Sequence, residues 1–390
     1  MSTAKPVLIS GAGLGGLLLA RSLQRHGVPF LLYERDATGS ARSQGYRIRL
    51  SSQGINALSA TLPSDKYQQI RSGRSNTTVG QFTMVDAKTM QPKQMPTGSG
   101  PGPRGGGEVL GIDRAFLRNT LFEGIEEVVH FDNNVVGYEL ASTGVVAKFS
   151  DGTRSPEGSL LVAADGVHSK ITKQLTDNQL KVYDTGARMI HGSSPKASFA
   201  ALSQGKFGAF GVSDDSNPAG KVAMITNVRD EEGDDLHFGW VLVGEPGTFD
   251  APNDDFSVTG QAAVDISVHL TKEWSDVVRP ILEQQQVAEA AFLKMSTSSP
   301  DGVPEWKNEP RVTLLGDAVH AMTPAGGVGA NTALRDAELL GRLIAEGNGW
   351  REGLTRDYEE EMRVYASQNV KDSWEAASKQ FSIKELNKTI

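Results

Sequence analysis

Cysteine is absent from all 390 residues. Disulfides, thiol nucleophiles, cysteine metal sites and redox-active thiol pairs are therefore excluded. Positive charge is not in excess: 39 Lys and Arg stand against 47 Asp and Glu, a formal net charge of −8. With no basic stripe to displace counterions, nucleic acid is not an expected partner. No apolar run is long enough to cross a bilayer. Val7 to Leu19 imitates the core of a signal peptide, but its glycines, the following Arg21 and the missing cleavage pattern argue against that reading. The histidines show no paired metal spacing, and neither a nucleophile-elbow serine nor a Gly-Lys-Ser/Thr phosphate loop is present. These absences point to a soluble, cytoplasmic protein with no metal and no membrane span, either a monomer or a homodimer.

The chain is rich in glycine, and the glycines cluster in an order. Gly11-Ala12-Gly13-Leu14-Gly15-Gly16 comes first, Asp165-Gly166 near the middle, and Gly316-Asp317 with Pro324-Ala325-Gly326-Gly327-Val328-Gly329-Ala330-Asn331 later. Val7 to Ser10 reads as a buried parallel strand, Leu14 to His26 as a helix closed by Gly27, and Phe30 to Tyr33 as the next strand. That is one complete βαβ unit. Gly45 to Leu58 reads as a strand or loop entering a helix, 76 to 95 as weak sheet, and Thr97 to Gly107 as a loop. Asp113 is a suitable cap for a helix to Phe122. Val135 to Leu140 pairs with Val145 to Phe149, and Leu160 to Ala164 is another buried strand. Between Tyr183 and Met295, short alternating segments broken by turns such as Asp230 to Asp235 predict an antiparallel sheet. Helices are expected over Val264–Leu270, Val277–Leu293, Ala330–Glu346 and Leu354–Lys379, and a strand over Val312–Leu315. The expected fold is α/β with α+β character: a discontinuous Rossmann-like domain (1–75, 105–180 and 296–390) enclosing an antiparallel-sheet domain (76–104 and 181–295).

Gly11-x-Gly13-x-x-Gly16 between strand and helix is the arrangement that lets a pyrophosphate approach the backbone at a helix N-terminus. Glu34, about 20 residues on, stands where a carboxylate accepts from an adenosine ribose; it disfavours a 2′-phosphate, so FAD or NAD is expected rather than NADP. Arg35 beside it is expected along the adenine. Leu14, Gly15 and Asp165 complete the candidate dinucleotide contacts.

At these residues the chain resembles the group A flavoprotein monooxygenases, the family of para-hydroxybenzoate hydroxylase, salicylate hydroxylase and the tetracycline-modifying monooxygenases. Val7–Gly16 with Glu34-Arg35, Leu161–Ser169, and Leu315–His320 through Asn331 carry the resemblance, with Gly45–Leu50, Ile112–Leu117 and Tyr358–Arg363 in support. The resemblance implies bound FAD, with Asp317 on a ribityl hydroxyl and Arg114 near the flavin or its phosphates. It also implies that the loop Pro324 to Asn331, including Gly326, Gly327, Gly329 and Ala330, runs beside the isoalloxazine after Gly316. Pro324 and Gly326 would form the environment of the reacting oxygen. NADPH or NADH would be the transient reductant and O2 the co-substrate. An electron-rich aromatic or polycyclic molecule would then be hydroxylated through a flavin C4a-hydroperoxide, in a setting of secondary metabolism. The resemblance further implies that the extra C-terminal domain of the phenol hydroxylase branch is lacking. Two departures stand out: Thr172 and Lys173 occupy the place of the family's arginine after the second motif, and Ala321 replaces a proline after the third.

Candidates to line the substrate are Arg47, Arg188, His191, Phe210, His237 and Trp240. Arg188 and His191 have opposite parity on a strand, so at most one faces the cavity. His191 is the candidate substrate contact or proton relay. Related chemistries on the same fold, namely epoxidation, Baeyer–Villiger oxidation or reduction, and a non-catalytic FAD- or NAD-binding regulator remain open alternatives. No Trp-x-Trp-x-x-Pro element of the halogenases is present.

Overall fold

The protein is described from a computed structural model, which covers residues 4–37, 47–73, 82–94, 107–229, 233, 235–251, 257–386 and 388–389. Gly45 and Tyr46, the weak sheet expected over 76–81, almost all of the Thr97 to Gly107 loop and most of the Asp230 to Asp235 turn lie outside these residues. In chain order the strands begin with β1 (Val7–Ser10), β2 (Phe30–Tyr33), β3 (Arg47–Leu50), β4 (Thr83–Asp86), β5 (Leu110–Asp113) and β6 (Val129–His130). They continue with β7 (Val135–Leu140), β8 (Val145–Phe149), β9 (Leu160–Ala163), β10 (Val182–Pro195), β11 (Gly208–Asp214) and β12 (Val222–Val228). The last are β13 (His237–Gly244), β14 (Ser257–Thr259), β15 (Ala291–Ser298), β16 (Val312–Leu314) and β17 (Lys388–Thr389).

β1 is apolar on both faces because helices cover both: Val7, Leu8 and Ile9 are fully buried. Its neighbours are β2 and β9, and the parallel sheet runs β16-β9-β1-β2-β6. Ser10 lies level with Tyr33 and with Ala163, and Ala163 with Leu314. Four strands therefore end together, and the residues after them emerge along one edge: Gly11, Glu34, Asp165 and Gly316. This carboxyl edge is where parallel sheets bind ligands. Helix Leu14–Arg25 packs on the sheet through Leu17, Leu18 and Leu23, each about 1.5–3 kcal/mol of burial. Helix Gly329–Glu346 lies against it, with Gly341 admitting Ser22 at close approach.

The second sheet follows the order β14-β15-β10-β13-β12-β11-β4, with β17 added to β10. Neighbours are antiparallel except β11 and β4. Alternate residues decide its two faces. Ile190, Phe210, Val212, Met224, Phe238, Trp240, Leu242 and Phe292 form a dry core with helices Gln261–Leu270 and Arg279–Glu283. Ala187, Met189, Val241, Val243 and Met295 pack the other way, against Ala325 and the end of helix Leu354–Gln380.

One expected element is corrected. A helix over Val277–Leu293 is read from composition, but the helix stops at Glu283 and Ala291–Ser298 is β15. Ala, Leu, Lys and Met favour a helix locally; pairing on β10 along one side and β14 on the other overrides that preference. The short helices Ser64–Ser72 and Lys170–Leu175 were not expected.

Candidate cofactor and substrate site

The first glycine loop is built by three separate requirements. Gly11 sits at φ +104°, a conformation other residues rarely adopt. Gly16 faces the Gly11 carbonyl so closely that a Cβ would strike it, and Gly15 likewise faces the Leu315 side chain. Gly15 is thus fixed by packing, whatever its amide does. Gly13 differs. Its φ of −74° suits any residue, and a Cβ there would meet no atom of the described residues within 4 Å. Nothing among the described residues requires glycine at that position, and the space over it is open to a ligand. The helix that starts here has no side-chain cap and no acid in its first turn, so its opening N–H groups are left for an anion.

Glu34 holds this loop in place. Its Oε2 accepts from the Ala12 N–H at 2.7 Å and its Oε1 from the Asp36 N–H at 3.1 Å. Arg118, one helical turn after Arg114, donates its Nε to the Ala12 carbonyl at 3.1 Å and is buried. Sequence reading missed Arg118; its spacing of four from Arg114 was the available signal. Burial lowers its pKa, against the opposing charge of Glu34.

At the second motif, Gly166 takes φ +82°. Burial pushes the Asp165 carboxyl up to about 6, against the Ser169 and Ser10 hydroxyls and the charge of Arg35. Its Oδ1 is buried with no hydrogen-bond partner among the described residues. Thr172, where the family keeps arginine, is buried and donates to the Ala318 carbonyl at 2.8 Å, tying this turn to the third motif.

The third motif turns on a buried carboxylate that sequence reading also missed. Asp336 Oδ2 accepts from the Gly316 N–H at 2.9 Å and contacts His320 Nε2 at 2.6 Å, while Oδ1 accepts from Tyr365 Oη at 2.7 Å. Asp336 and His320 are fully buried. Burial depresses the imidazole but the Asp336 charge and hydrogen bond outweigh it, so the His320 pKa is raised. Gly316, at φ +65°, then presents Asp317 to an open cleft. The Asp317 side chain is solvent-accessible yet surrounded: burial raises its pKa, with His320 and Arg114 opposing. A carboxylate on the floor of a cleft has both properties.

Gly326 and Gly327 take φ +80° and +64°, the left-handed turn that needs glycine. Pro324 and Gly326 are exposed, and Ala325 anchors the loop to the second sheet. A Cβ on Gly327 would lie 3.9 Å from Arg49 Cβ, which brings β3 beside this loop. Asn331, expected at the cofactor, spends its side chain on the backbone instead. Its Oδ1 accepts from the Ser51 N–H at 2.8 Å, and its Nδ2 donates to the Arg49 and Gly327 carbonyls at 2.9 and 2.8 Å. It staples the loop to β3. Gly329 and Ala330 open the helix that follows, both partly exposed.

On the second sheet, His191 is the candidate that faces the cleft. It is buried, and its pKa falls to about 4 through burial first and the Arg114 charge second. Arg114 thus lies within electrostatic reach of both Asp317 and His191. Arg188 faces the other way and is corrected as a substrate contact: it is buried against Asp184 at 2.8 Å and Asp250 at 2.7 Å. Phe210 and Trp240 are likewise on the dry face, where Trp240 Nε1 donates to Ser194 Oγ at 2.9 Å. His237 stands at the rim, in contact with Gln286 at 2.9 Å. Arg47 donates to the Gly111 carbonyl at 2.7 Å.

FAD fits these residues: an open glycine cradle at Gly13, an uncapped helix, an orphaned acceptor at Asp165 and a carboxylate presented by Gly316 all line one edge. The FAD binding domain family matches residues 277–373. The chain is 34% identical over 379 residues to the dual O-methyltransferase/FAD-dependent monooxygenase elcB of Phaeosphaeria nodorum, covering 87% of this chain and 40% of that protein. It therefore spans less than half the length of that relative. It is 30% identical over 341 residues to the 2-heptyl-3-hydroxy-4(1H)-quinolone synthase of Pseudomonas aeruginosa, covering 86% of this chain and 80% of that one. A solved structure from Photorhabdus luminescens, assigned as an FAD-containing monooxygenase, superposes with a TM-score of 0.76 at 28% identity, over 97% of this chain and 99% of that one. The chain belongs to the family of FAD-dependent monooxygenases.

Proposed function

We propose that the protein binds FAD and, with NADPH or NADH and O2, hydroxylates an electron-rich aromatic or polycyclic small molecule. The observation that carries this reading is that Glu34, Asp165 and Asp317 follow neighbouring strands at one sheet edge, with Arg114 in electrostatic reach of both Asp317 and His191 of the second sheet. In this reading residues 1–75, 105–180 and 296–390 hold the cofactor, and 76–104 and 181–295 cover the substrate. Bound FAD would supply the redox chemistry, carrying reducing equivalents from the nicotinamide to oxygen.

The residues do the rest. Glu34 and the Gly13 amide end of the helix orient the dinucleotide, and Asp317 and Arg114 fix the ring-bearing half. Pro324, Gly326 and Gly327 bring backbone rather than side chains to the reacting centre. His191, kept neutral at pH 7, can accept or donate one hydrogen bond to the substrate without adding charge. The quinolone synthase relative carries the name of a hydroxylated aromatic product, which supports an aromatic substrate here.

Purified protein should hold FAD, bleach anaerobically with NADPH or NADH and recover its yellow colour in air. Aromatic compounds that accelerate NAD(P)H oxidation should yield products heavier by one oxygen atom. A protein that does not take up FAD would remove the reading.

A further inference from the structure

The stretch from Pro324 to Ala330 carries no polar side chain: its residues are Pro, Ala, Gly, Gly, Val, Gly and Ala. It has nothing of its own with which to tie itself down, and Pro324 and Gly326 are exposed. Whatever polar contact fixes it must act at its ends. Asn331 staples it to β3 on one side. On the other lies the long helix Leu354–Gln380, which packs on the turn Ala325–Gly327.

Two side chains of that helix grip the two ends. Ser373 Oγ donates to the Thr323 carbonyl at 3.1 Å, and Thr323 Oγ1 lies 2.8 Å from Ser373 Oγ. Asn369 Nδ2 donates to Thr332 Oγ1 at 2.9 Å, and Thr332 Oγ1 donates on to the Val328 carbonyl at 2.9 Å. Thr323, Thr332 and Ser373 are buried, so water competes little for these bonds. Ala376 and Ala377, further along the same helix, share a buried cluster with Ala325. Asn369 and Ser373 are one helical turn apart, ~6 Å at the usual rise per residue. Thr323 and Thr332 bound a segment that could span ~30 Å if extended. The helix therefore holds the loop closed, far inside its reach.

We propose that Asn369 and Ser373 are positioning residues, which fix the loop from Pro324 to Ala330 against the proposed flavin position by clamping Thr332 and Thr323. The proposal rests on the monooxygenase reading for what the loop covers, and adds the residues that set its place. Backbone brought to a reacting centre needs such a clamp, because a misplacement of ~1 Å can cost about a hundredfold in rate.

Two readouts test it, the first without cofactor. In FAD-free protein, hydrogen exchange of the amides from Ala325 to Ala330 is followed by mass spectrometry, with β1 as the internal control. Asn369→Ala and Ser373→Ala should each speed loop exchange by about tenfold, the effect of one buried hydrogen bond on a local opening, while β1 exchanges as before. Thr332→Val should do the same, and Thr332→Ser, which keeps the hydroxyl, should restore the native rate. Asn369 is partly exposed, so Asn369→Ala carries the test if Ser373→Ala does not fold. In FAD-loaded protein, quenching of flavin fluorescence by iodide should rise several-fold in Asn369→Ala, with FAD content unchanged. Native loop exchange in both Asn369→Ala and Thr332→Val overturns the proposal, since Asn331 alone would then hold the loop. Faster exchange with unchanged iodide quenching also overturns it, because the clamp would then serve the fold and not the flavin. Native protein that takes up no FAD sinks the monooxygenase reading instead and leaves the exchange result standing, so the two failures are distinguishable.

Discussion

Gly13 and Gly16 are three positions apart and are glycine for different reasons, which a pair of substitutions separates. Gly16→Ala forces a Cβ into the Gly11 carbonyl and should cost the cofactor-free protein about 1–3 kcal/mol in urea unfolding. Gly13→Ala meets only open space, so its cofactor-free stability should move by less than about 1 kcal/mol while FAD affinity falls at least tenfold. Equal FAD affinity in Gly13→Ala would mean that no ligand approaches there. Two buried titratable groups give a second residue-scale prediction. The Asp165 pKa is raised to about 6, so its stabilisation is full below the ordinary carboxylate range and lost as pH rises through 6. The His191 pKa is depressed to about 4, so its stabilisation is full above 6.5 and lost as pH falls through 4. Between pH 4 and 6 the two oppose each other, and the native protein hides both. Relative to it, Asp165→Asn should gain stability as pH rises, by roughly 3 kcal/mol at pH 7 at about 1.4 kcal/mol per unit. His191→Asn should gain as pH falls from 6.5 to 4. Unfolding midpoints that track the native protein across this range would refute both assignments.

At the scale of elements, the third motif depends on a helix it does not belong to. Asp336, on helix Gly329–Glu346, holds the Gly316 amide, His320 and Tyr365 together. Asp336→Asn removes the charge that raises the His320 pKa and breaks a buried three-way network, and should cost about 3 kcal/mol. Tyr365→Phe removes one of the three contacts and should cost about 1–2 kcal/mol. FAD affinity should fall in the order native, Tyr365→Phe, Asp336→Asn, because the Gly316–Asp317 turn loosens in that order. Titration of the three proteins with FAD checks this; affinity independent of the network would make it purely structural. The sequence displayed Gly316-Asp317 plainly. It gave no sign of Asp336, because a lone Asp inside a helix reads as a solvated charge until a second helix covers it.

Across the whole molecule, the cofactor contacts proposed above come from chain segments before and after the second sheet, so binding and folding should be linked. FAD present at a hundred times its dissociation constant should raise the unfolding free energy by about 2.7 kcal/mol. FMN, which lacks the adenosine half proposed to meet Glu34 and the first glycine loop, should shift the melting temperature far less at the same concentration. Equal shifts would place the binding energy entirely at the flavin end. No helix among the described residues is long and apolar enough to cross a membrane.

Local chemistry wrote much of this protein into its sequence. The strand–glycine–helix punctuation, the carboxylate of Glu34 just past the second strand, the left-handed glycines and the alternation of the second sheet are short-range patterns, and they could be read without coordinates. Which way a residue faces could not. His191 looks into the cleft and Arg188 away from it, although parity alone allowed either. Trp240 and Phe210 are core, Asn331 is a staple, and Ala291–Ser298 is strand against its own helix preference. Each of these was decided by what packs on the other side, which is a property of other segments of the chain and not of the local sequence.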